Sequence, residues 1–502
     1  MENNWRDRLR ALRERLKRPN KEASENSTDT QEGPVTQYRQ KPLPARPNKS
    51  RAQEQLQTVS INLGIDFGTS FTKICFRDVG TEESGIVTFD AGNSDGALIP
   101  TVVSVGPNGH IKISNGMSDD QHSVFIPYLK MRLAGSRVGK NLPTVNNVNL
   151  NDEESVAALS SWYLASVIIR TMEHLASVEK ERFRNRLPVW SANVGVPVEY
   201  CDSPELKKFE TVLGIAWLWV KENRVPATIT ELINLYRTTE EHLDDEVTDF
   251  HAIPEISAAV QSFIISREAI PGIYVYFDIG GGTVDGVAFR FMNFNGEKKI
   301  DFYSGKVDRL GISMLADHLE SNVLGGITPE ILASILRDAN PSKKEDFVQK
   351  IRLLVGHVII RAKDKKRTGW QRPVYQKPGD IKPVFAPLDP SRMEPLDVFI
   401  GGGGAPSKWY QKAIISTYEK FQHKNAGIPP YQLTEVPKPA DLDMSDIPEE
   451  QFRRFAISYG LSVPLGEGPE VRLPSRVPNA RKPKLAAKVG IVDYADSKDV
   501  YD

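Results

Sequence analysis

Two segments far apart in the chain share a design that suits phosphate chemistry. They read GIDFGTS at residues 64–70 and DIGGGTVD at residues 278–285, so that each carries an aspartate followed by glycine and a hydroxyl residue. Glycine lets the backbone approach a phosphate closely, and the N–H groups of such a turn point inward as anion donors. Asp66 and Asp278 would repel a phosphate unless a Mg²⁺ ion with its waters lies between them.

A third glycine cluster strengthens this interpretation. One Asp-Gly hairpin alone favours a purely structural turn. The run GGGG at residues 401–404 stands between the β-type stretch LDVFI and a helical pattern, where a nucleotide loop or a flexible turn would fit. Two hairpins and this cluster together favour a nucleotide site.

The pattern of apolar residues places these motifs on predicted elements. Alternation from about Val59 predicts a first strand–turn–strand unit, and IYVYFDIGGGTVDGVAFRFM predicts a second. The other predicted features are two short strands in 97–115, a helix over 152–180 capped by Asp152, the strand WSANVGVP, a helix over 203–214, a helix starting at PEIS, helices in 328–367, a loop over 371–395, a helix after the third glycine cluster and a last amphipathic helix, QFRRFAISYGLS.

Composition excludes several classes of protein. The chain has 502 residues, with 64 Lys and Arg against 65 Asp and Glu, and this balance argues against a nucleic-acid binder. No apolar run approaches the roughly 18 residues that span a bilayer, and the first residues show no secretory pattern. Cys75 and Cys201 cannot form a disulfide framework or a zinc site unaided. We therefore expect a cytoplasmic protein with two or three packed regions.

The first 58 residues are predicted to be a disordered tail with a short basic helix. Trp5, Leu9, Leu12 and Leu16 would form one narrow apolar stripe among arginines. Such a helix docks on a protein partner or on an anionic membrane surface, or else it is a short solvated helix that frays. The polar, proline-bearing stretch that follows it is typical of a flexible linker.

The motifs resemble those of the actin, heat-shock-seventy and sugar-kinase superfamily of ATP-binding proteins. GIDFGTSFTK is similar to the first phosphate loop of heat-shock-seventy chaperones, FDIGGGTVDG to the second, PEISAAV to the connecting helix and DVFIGGGGAP to the adenosine loop. The matches follow the family's order over roughly residues 59–463. The resemblance implies an α/β, two-lobe, actin-like fold of the duplicated ribonuclease-H type, with ATP and Mg²⁺ bound between the lobes.

The resemblance also implies roles for individual residues. Asp66 and Asp278 would hold Mg²⁺ through waters, and Glu255 and Asp278, with Asp285 nearby, would orient an attacking water. Lys130 is our choice for the active-site lysine; Arg132 is the alternative, and Lys130 could equally be a solvated helix cation. The residues expected to contact the nucleotide are Gly68, Thr69, Ser70, Gly280, Gly281, Gly282, Thr283, Gly311, Arg361, Lys363, Gly401, Gly402, Gly403 and Gly404.

The chain departs from the family at the adenosine end and beyond it. Ile360 stands where the family's purine-binding helix has a glutamate, and Ala405 stands where an arginine follows the glycines. We therefore expect weak discrimination between bases. The 39 residues after 463 are too few for a peptide-binding domain. An inserted segment, 217–250, carries Trp217 and Trp219, which either pack against their own lobe or form a partner surface.

The sequence thus predicts four regions: the tail 1–58, lobe I over 59–268, lobe II over 269–463 and a C-terminal extension over 464–502 that trails over the surface. The expected function is a heat-shock-seventy-like, nucleotide-gated switch with slow ATP hydrolysis. It would act on a protein partner through residues 1–20 or 217–250. An actin-like filament protein, a small-molecule kinase and a non-hydrolysing scaffold are the alternatives. The sequence leaves the oligomeric state and the partner's identity open.

Overall fold

The computed structural model gives the fold for most of the chain. It describes residues 57–90, 94–114, 122–136, 138–139, 141–243, 249–266, 269–320, 327, 329–365, 394–444 and 447–478. The predictions for residues 1–56, for the loop up to residue 393 and for residues 479–502 fall outside the described residues. Residues 57 and 58, assigned to the tail, instead open the first strand.

The described strands fall into long hairpins and short edge segments. They are β1 (Gln57–Phe67), β2 (Phe71–Asp78), β3 (Ser84–Ile86), β4 (Ile99–Pro100), β5 (Val103–Val105), β6 (Ile111–Ile113), β7 (Val124–Ile126), β8 (Thr144–Val145), β9 (Val148–Asn149), β10 (Arg186–Val196), β11 (Phe250–Pro254), β12 (Gly272–Ile279), β13 (Val284–Phe294), β14 (Glu297–Asp308), β15 (Leu396–Gly401), β16 (Tyr431–Thr434), β17 (Leu442–Asp443) and β18 (Glu470–Arg472).

The described helices range from one turn to seven. They are α1 (Leu129–Leu133), α2 (Glu153–Val178), α3 (Lys180–Phe183), α4 (Val198–Cys201), α5 (Glu205–Glu222), α6 (Ile229–Glu241), α7 (Glu255–Ala259), α8 (Gln261–Ile265), α9 (Ile312–His318), α10 (Pro329–Asp338), α11 (Pro341–Lys365), α12 (Lys408–Lys420) and α13 (Ala456–Ser462). Short 3₁₀ turns cover Ser94–Ala97, His423–Ala426, Glu449–Arg454 and Pro474–Arg476.

Two large mixed sheets organise these elements. The first runs β11-β10-β1-β2-β3-β17, with β4 also paired to β2, and the second runs β16-β15-β12-β13-β14-β18. In the first sheet β1, β2 and β3 are antiparallel neighbours, while β10 pairs with β11 and β3 with β17 in parallel. In the second, β12, β13 and β14 are antiparallel, while β15 pairs with β12 and β16 and β14 with β18 in parallel. The predicted α/β class is confirmed.

The two sheets share one strand plan. Each has a parallel pair on one side, then an antiparallel run of three strands, then a short parallel strand contributed by the C-terminal part of the chain. In each sheet the antiparallel run begins with one of the two Asp-Gly hairpins, β1–β2 or β12–β13. The equivalent position of the two hairpins follows from this plan.

The second sheet is buried on both faces. Val275 and Phe277 of β12 belong to one apolar cluster with α11 and α12, whereas Tyr274 and Tyr276 belong to another with α7, α8 and α13. Alternate residues of a strand point to opposite faces, so a strand buried on both sides reads as a continuous apolar run. This is why IYVYF precedes Asp278 without a polar break.

Several sequence-based boundaries are wrong in detail. The extension does not simply trail over the surface, because its residues Glu470–Arg472 pair with Lys299–Asp301 of β14. The last predicted helix is split into the 3₁₀ turn Glu449–Arg454 and α13, whose seven residues are all buried rather than amphipathic. The cap Asp152 precedes α2 as expected, but its side chain makes no capping hydrogen bond.

The tryptophans of the predicted insertion lie inside the protein. Helix α5 continues through Trp217 and Trp219, which are 2% and 1% exposed. The Trp217 ring stacks on Phe250 at 5.3 Å between centroids, and Trp219 Nε1 donates to Thr239 Oγ1 at 3.0 Å. The packing alternative therefore describes both rings, and neither is available to a partner.

One helix meets the length and composition criteria for crossing a membrane. Helix α2 has a mean hydropathy of 1.2 over an 18-residue window, so the expectation that no segment approaches this threshold is wrong. The burial of that window is 72%, as in the core helix of a globular fold. A core helix with neighbours on several sides is apolar nearly all round, which is why it passes the same test.

Among the described residues, 57–59 and 180–189 form a small unit of their own. Its described part contains helix α3 and an ion pair between Arg184 and Glu181 at 3.4 Å, on exposed side chains. Residues 60–179 and 190–502 form the large unit, which contains the site described next.

Candidate functional site

The two Asp-Gly hairpins close their turns in the same way. In the first, Asp66 lies opposite Lys73 and Phe67 opposite Thr72, which leaves residues 68–71 between the last paired residues, although Phe71 already belongs to β2. In the second, Asp278 lies opposite Asp285 and Ile279 opposite Val284, which leaves residues 280–283. Both predicted strand–turn–strand units are confirmed, and both turns contain four residues.

The fold brings the two turns into direct contact. A Cβ added to Gly281 would lie 1.9 Å from Ser70 Oγ, and one added to Gly282 would lie 2.4 Å from Thr69 Cγ2. Side chains at either position would push the turns apart. The hydroxyl residues of the first turn therefore require glycine in the second, and four predicted site residues meet at one place.

The conformation of the second turn is held by hydrogen bonds and close packing at Gly280, Thr283 and Gly311. The Gly280 N–H donates to the Thr283 carbonyl at 2.9 Å, and the Gly311 N–H donates to the Gly282 carbonyl at 3.2 Å. A Cβ on Gly311 would lie 2.5 Å from the Gly281 carbonyl oxygen. Gly311, which was expected to contact the nucleotide, thus packs against the turn that carries Gly281 and Gly282. In the first turn, the Gly68 N–H donates to the Asp66 carbonyl at 2.9 Å.

A lysine that the sequence analysis missed neutralises the first aspartate. Asp66 is 3% exposed, and its Oδ2 forms an ion pair with Lys73 Nζ. Lys73 lies directly across the hairpin from Asp66. The signal was present in the sequence, because a symmetric four-residue turn places position 73 opposite position 66. The ammonium group of Lys73 therefore lies at the mouth of the first turn.

The second aspartate faces another carboxylate instead of a lysine. Asp285 is 3% exposed, and neither of its carboxylate oxygens has a hydrogen-bond partner among the described residues. Burial, together with the charges of Glu255 and Asp278, raises the pKa of Asp285 well above its usual range. Burial also raises the pKa of Asp278 to about 7, against the opposing effect of Lys73.

Glu255 and Lys130 form a buried ion pair beside these carboxylates. Glu255 follows Pro254 at the start of α7 and is 4% exposed; its Oε1 accepts from Lys130 Nζ. A Cβ on Gly195 of β10 would lie 2.6 Å from Glu255 Cγ, so that glycine makes room for the side chain. Burial alone would lower the pKa of Lys130, but the carboxylate of Glu255 raises it, and the ammonium form is kept.

The structure separates the two candidates for the active-site lysine. Lys130 is only 8% exposed, so the solvated-cation alternative is wrong. The Arg132 Nε instead donates to the Pro127 carbonyl at 3.1 Å, on a half-buried side chain. Of the two, Lys130 is the one that joins the carboxylate cluster.

The third glycine cluster packs against the end of β12. A Cβ on Gly402, whose φ is +83°, would lie 2.5 Å from the Ile279 carbonyl oxygen and 2.7 Å from Asp278 Oδ1. The Gly404 N–H donates to the Ile279 carbonyl at 2.9 Å. A Cβ on Gly403 would meet no heavy atom within 4 Å, so that residue faces open space. The strand, glycine turn and helix predicted here are confirmed.

Gly401 makes room for the side chain of Tyr276. A Cβ on Gly401 would lie 1.9 Å from Tyr276 Oη. Tyr276 is fully buried on β12, and burial followed by the charges of Asp278 and Asp66 raises the pKa of its hydroxyl well above the usual value. No sequence motif assigned a role to this residue.

The predicted purine-binding residues Arg361 and Lys363 lie near the C-terminal end of α11. Helix α11 packs on the second sheet, and Arg361 projects from its exposed face together with Ile360 and Leu353. Lys363 lies near His423, because its charge, after burial, lowers the pKa of that histidine to about 4. The described contacts group the three glycine turns, and a nucleotide contact of Arg361 and Lys363 stays a prediction.

The cluster at the turns carries more acidic than basic groups. Asp66, Asp278, Asp285 and Glu255 outnumber Lys73 and Lys130 by two, and the raised pKa values of Asp278 and Asp285 reflect this excess. Within the described part of the chain, no three histidine, cysteine or carboxylate side chains converge to hold a metal ion directly.

Two comparisons with known proteins give no relative for this chain. No protein-family model matches the sequence, and a search of curated proteins finds no significant match. The function proposed below is therefore inferred from the geometry of the three glycine turns and the carboxylate cluster.

Proposed function

We propose that this protein binds ATP with Mg²⁺ at the three glycine turns and hydrolyses it slowly, as a heat-shock-seventy-like, nucleotide-gated switch. One observation carries the proposal: two equivalent Asp-Gly turns touch each other and share a buried cluster of carboxylates and lysines. A hairpin with a purely structural role would not require a second, equivalent hairpin in contact with its turn. The shared strand plan of the two sheets supports a two-lobe, actin-like fold of the duplicated ribonuclease-H type.

The backbone of the turns and two ammonium groups would hold the phosphates. Thr69 and Ser70 supply hydroxyls on one side, and the glycines of the second turn allow close approach on the other. Lys73 adds a positive charge at the first turn and would exchange part of its contact with Asp66 for a phosphate oxygen. Phosphoryl transfer depends mainly on such positioning and charge neutralisation.

The donor set fits a hydrated magnesium ion. Carboxylate oxygens are the ligands that Mg²⁺ prefers, and Mg²⁺ usually retains several waters. A dication balances the cluster's excess of two carboxylates over ammonium groups, and Asp66 and Asp278 would hold its waters. Bound there, the ion would neutralise charge on the phosphates.

Asp285 and Glu255 would orient the attacking water. Asp285 is buried and has no hydrogen-bond partner in the described part of the chain, whereas buried polar groups are usually paired. Glu255 is held in place by Lys130, so its free oxygen has a defined direction. Both carboxylates act by positioning, and a cation bound nearby would favour the ionised form of Asp285, which can accept a proton.

The partner would be recruited by residues 1–20. Trp217 and Trp219 are buried inside the protein and cannot contact a partner. The apolar stripe from Trp5 to Leu16 is therefore the surface that we propose for binding a protein partner or a membrane surface. Because Ile360 and Ala405 offer the base no polar group, we also propose weak discrimination between ATP and GTP.

Aspartate-to-asparagine substitutions at the turns test the site. Titration calorimetry with ATP and Mg²⁺, together with phosphate release, should show binding by the wild type. Asp66→Asn and Asp278→Asn should each lower phosphate release by about a hundredfold. Asp397→Asn, in β15 of the same sheet but outside the turns, is the matched control and should retain turnover.

Two outcomes would revise the proposal. Equal turnover in the wild type and both turn variants would refute the site. Nucleotide binding by the wild type with no phosphate release would favour the non-hydrolysing scaffold, for which the engagement of both lysines by carboxylates is a specific supporting feature.

A further inference from the structure

Tyr276 places a buried hydroxyl group beside the carboxylate cluster. The residue is 0% exposed, and its Oη has no hydrogen-bond partner among the described residues. Buried hydroxyls are paired in the large majority of cases, because an unpaired one loses its contacts with water and gains nothing in return. Phenylalanine would fill the same space without this cost.

The strand register fixes where the hydroxyl lies. Tyr276 and Asp278 are two residues apart on β12 and therefore point to the same face of the sheet. Two residues span roughly 6.6 Å along such a strand, which is about the length of a tyrosine side chain. The hydroxyl of Tyr276 can thus reach the level of Asp278.

The neighbouring strand confirms this position. Gly401 of β15 is the register partner of Asp278, and the hydroxyl lies 1.9 Å from where a Cβ of Gly401 would be. Gly401 thus leaves space next to Asp278, and the Tyr276 hydroxyl fills it. The next residue, Gly402, also lies close to Asp278, because its Cβ would be 2.7 Å from Asp278 Oδ1. The hydroxyl and the carboxylate therefore border the same small space under the third glycine turn.

We propose that Tyr276 is a positioning residue that hydrogen-bonds a water molecule of the divalent cation held at Asp66 and Asp278. The inference rests on the proposed nucleotide and metal site and adds to it the hydroxyl group of Tyr276 on β12. A phenol can accept from a metal-bound water and donate to a carboxylate, so one hydroxyl can join the ion's water to Asp278. Outer contacts of this kind orient the ligands of a bound metal.

Tyr274 offers a matched control on the same strand and the same face. It is 2% exposed, and its hydroxyl donates to the Ile270 carbonyl at 2.6 Å. Tyr274→Phe removes a hydrogen bond that the protein makes, whereas Tyr276→Phe removes a hydroxyl that is unpaired. The two variants delete the same atom from residues two positions apart.

The experiment measures Mn²⁺ binding by electron paramagnetic resonance in the presence of ADP, and urea unfolding without ligand. Tyr276→Phe should weaken Mn²⁺ binding about tenfold, while its unfolding midpoint stays equal to that of the wild type or rises. Tyr274→Phe should bind Mn²⁺ as the wild type does and should unfold at lower urea.

The contrary outcomes are distinct. Wild-type Mn²⁺ affinity in Tyr276→Phe would overturn the role of Tyr276 and leave the nucleotide site intact. Equal weakening in both tyrosine variants would mean that the effect is structural, and it would overturn the role as well. If the wild type itself bound no Mn²⁺ with ADP, the metal site under "Proposed function" would be refuted, and this inference would be refuted with it.

Discussion

The first and second hairpins share a backbone plan but differ in charge. Opposite the aspartate that precedes each turn, the first hairpin carries Lys73 and the second carries Asp285. Asp66 is therefore paired within its own hairpin, whereas Asp278 and Asp285 add negative charge to each other. In the first hairpin the charge of Asp66 is balanced by that of Lys73. The second hairpin is stable only if its carboxylates take up protons or a cation arrives.

This difference assigns complementary tasks to the two hairpins. The first hairpin contributes a positive group and hydroxyls, as a phosphate-binding element requires. The second contributes carboxylates whose pKa values are raised, as an element that handles metal, water and protons requires. The two hairpins thus have the same backbone arrangement but carry different charges, and they contribute chemically different groups to one site.

Removing the lysine of the first hairpin should have the largest effect on stability. Lys73→Met leaves Asp66 buried without a counter-ion, which should lower the free energy of unfolding by about 3–5 kcal/mol. Urea denaturation at neutral pH measures this loss. Adding Asp66→Asn to Lys73→Met should restore most of the stability, because the unpaired charge is then gone. A loss below about 1 kcal/mol in the single variant would contradict the pairing of these residues.

The second hairpin should make stability depend on pH in the direction opposite to an ordinary paired aspartate. The folded pKa of Asp278 is about 7, above the ordinary aspartate value of 3.8, so the folded state favours the protonated form. Its contribution is fully present below pH 3.8 and is lost as the pH rises towards 7. The loss amounts to about 4 kcal/mol at most, from a shift of about three pKa units.

The difference between the wild type and Asp278→Asn isolates this effect. Urea midpoints of both proteins, measured without nucleotide from pH 4.5 to 8, should diverge as the pH rises, with the wild type losing more stability. Parallel curves would show that Asp278 ionises freely in the folded protein and would remove the electrostatic contrast between the hairpins.

Of the three changes, neutralising Asp285 should alter the stability of the fold least, but it should still lower the rate of phosphate release. Asp285→Asn keeps the shape of the side chain and removes a charge that burial already disfavours. The free energy of unfolding should therefore change by about 1 kcal/mol or less. Phosphate release should fall by about a hundredfold, because the amide cannot accept a proton. Loss of stability comparable to that of Lys73→Met would mean that Asp285 is a structural partner, and the proposed division of tasks would be wrong.

Local sequence patterns were sufficient for the motifs and for most elements. An aspartate followed by glycine between β-branched strands predicted both hairpins, and Pro254 before Glu255 predicted the start of a helix. The boundaries failed where a short segment finds its partner far away in the chain. Glu470–Arg472 is a strand only because β14 offers an open edge, and Trp217 and Trp219 are core residues only because β11 and α2 pack against their helix.

The sequence by itself determined the three glycine turns, the aspartates beside them and the mixed α/β class, because turn chemistry and apolar periodicity act over a few residues. Tertiary structure alone decided that Gly281 meets Ser70, that Lys130 pairs with Glu255, and that Arg361 points to solvent. It also placed the hydroxyl of Tyr276 over Gly401. These contacts depend on the burial of two sheets and their helices, and long-range packing of that kind leaves no periodic trace in one chain.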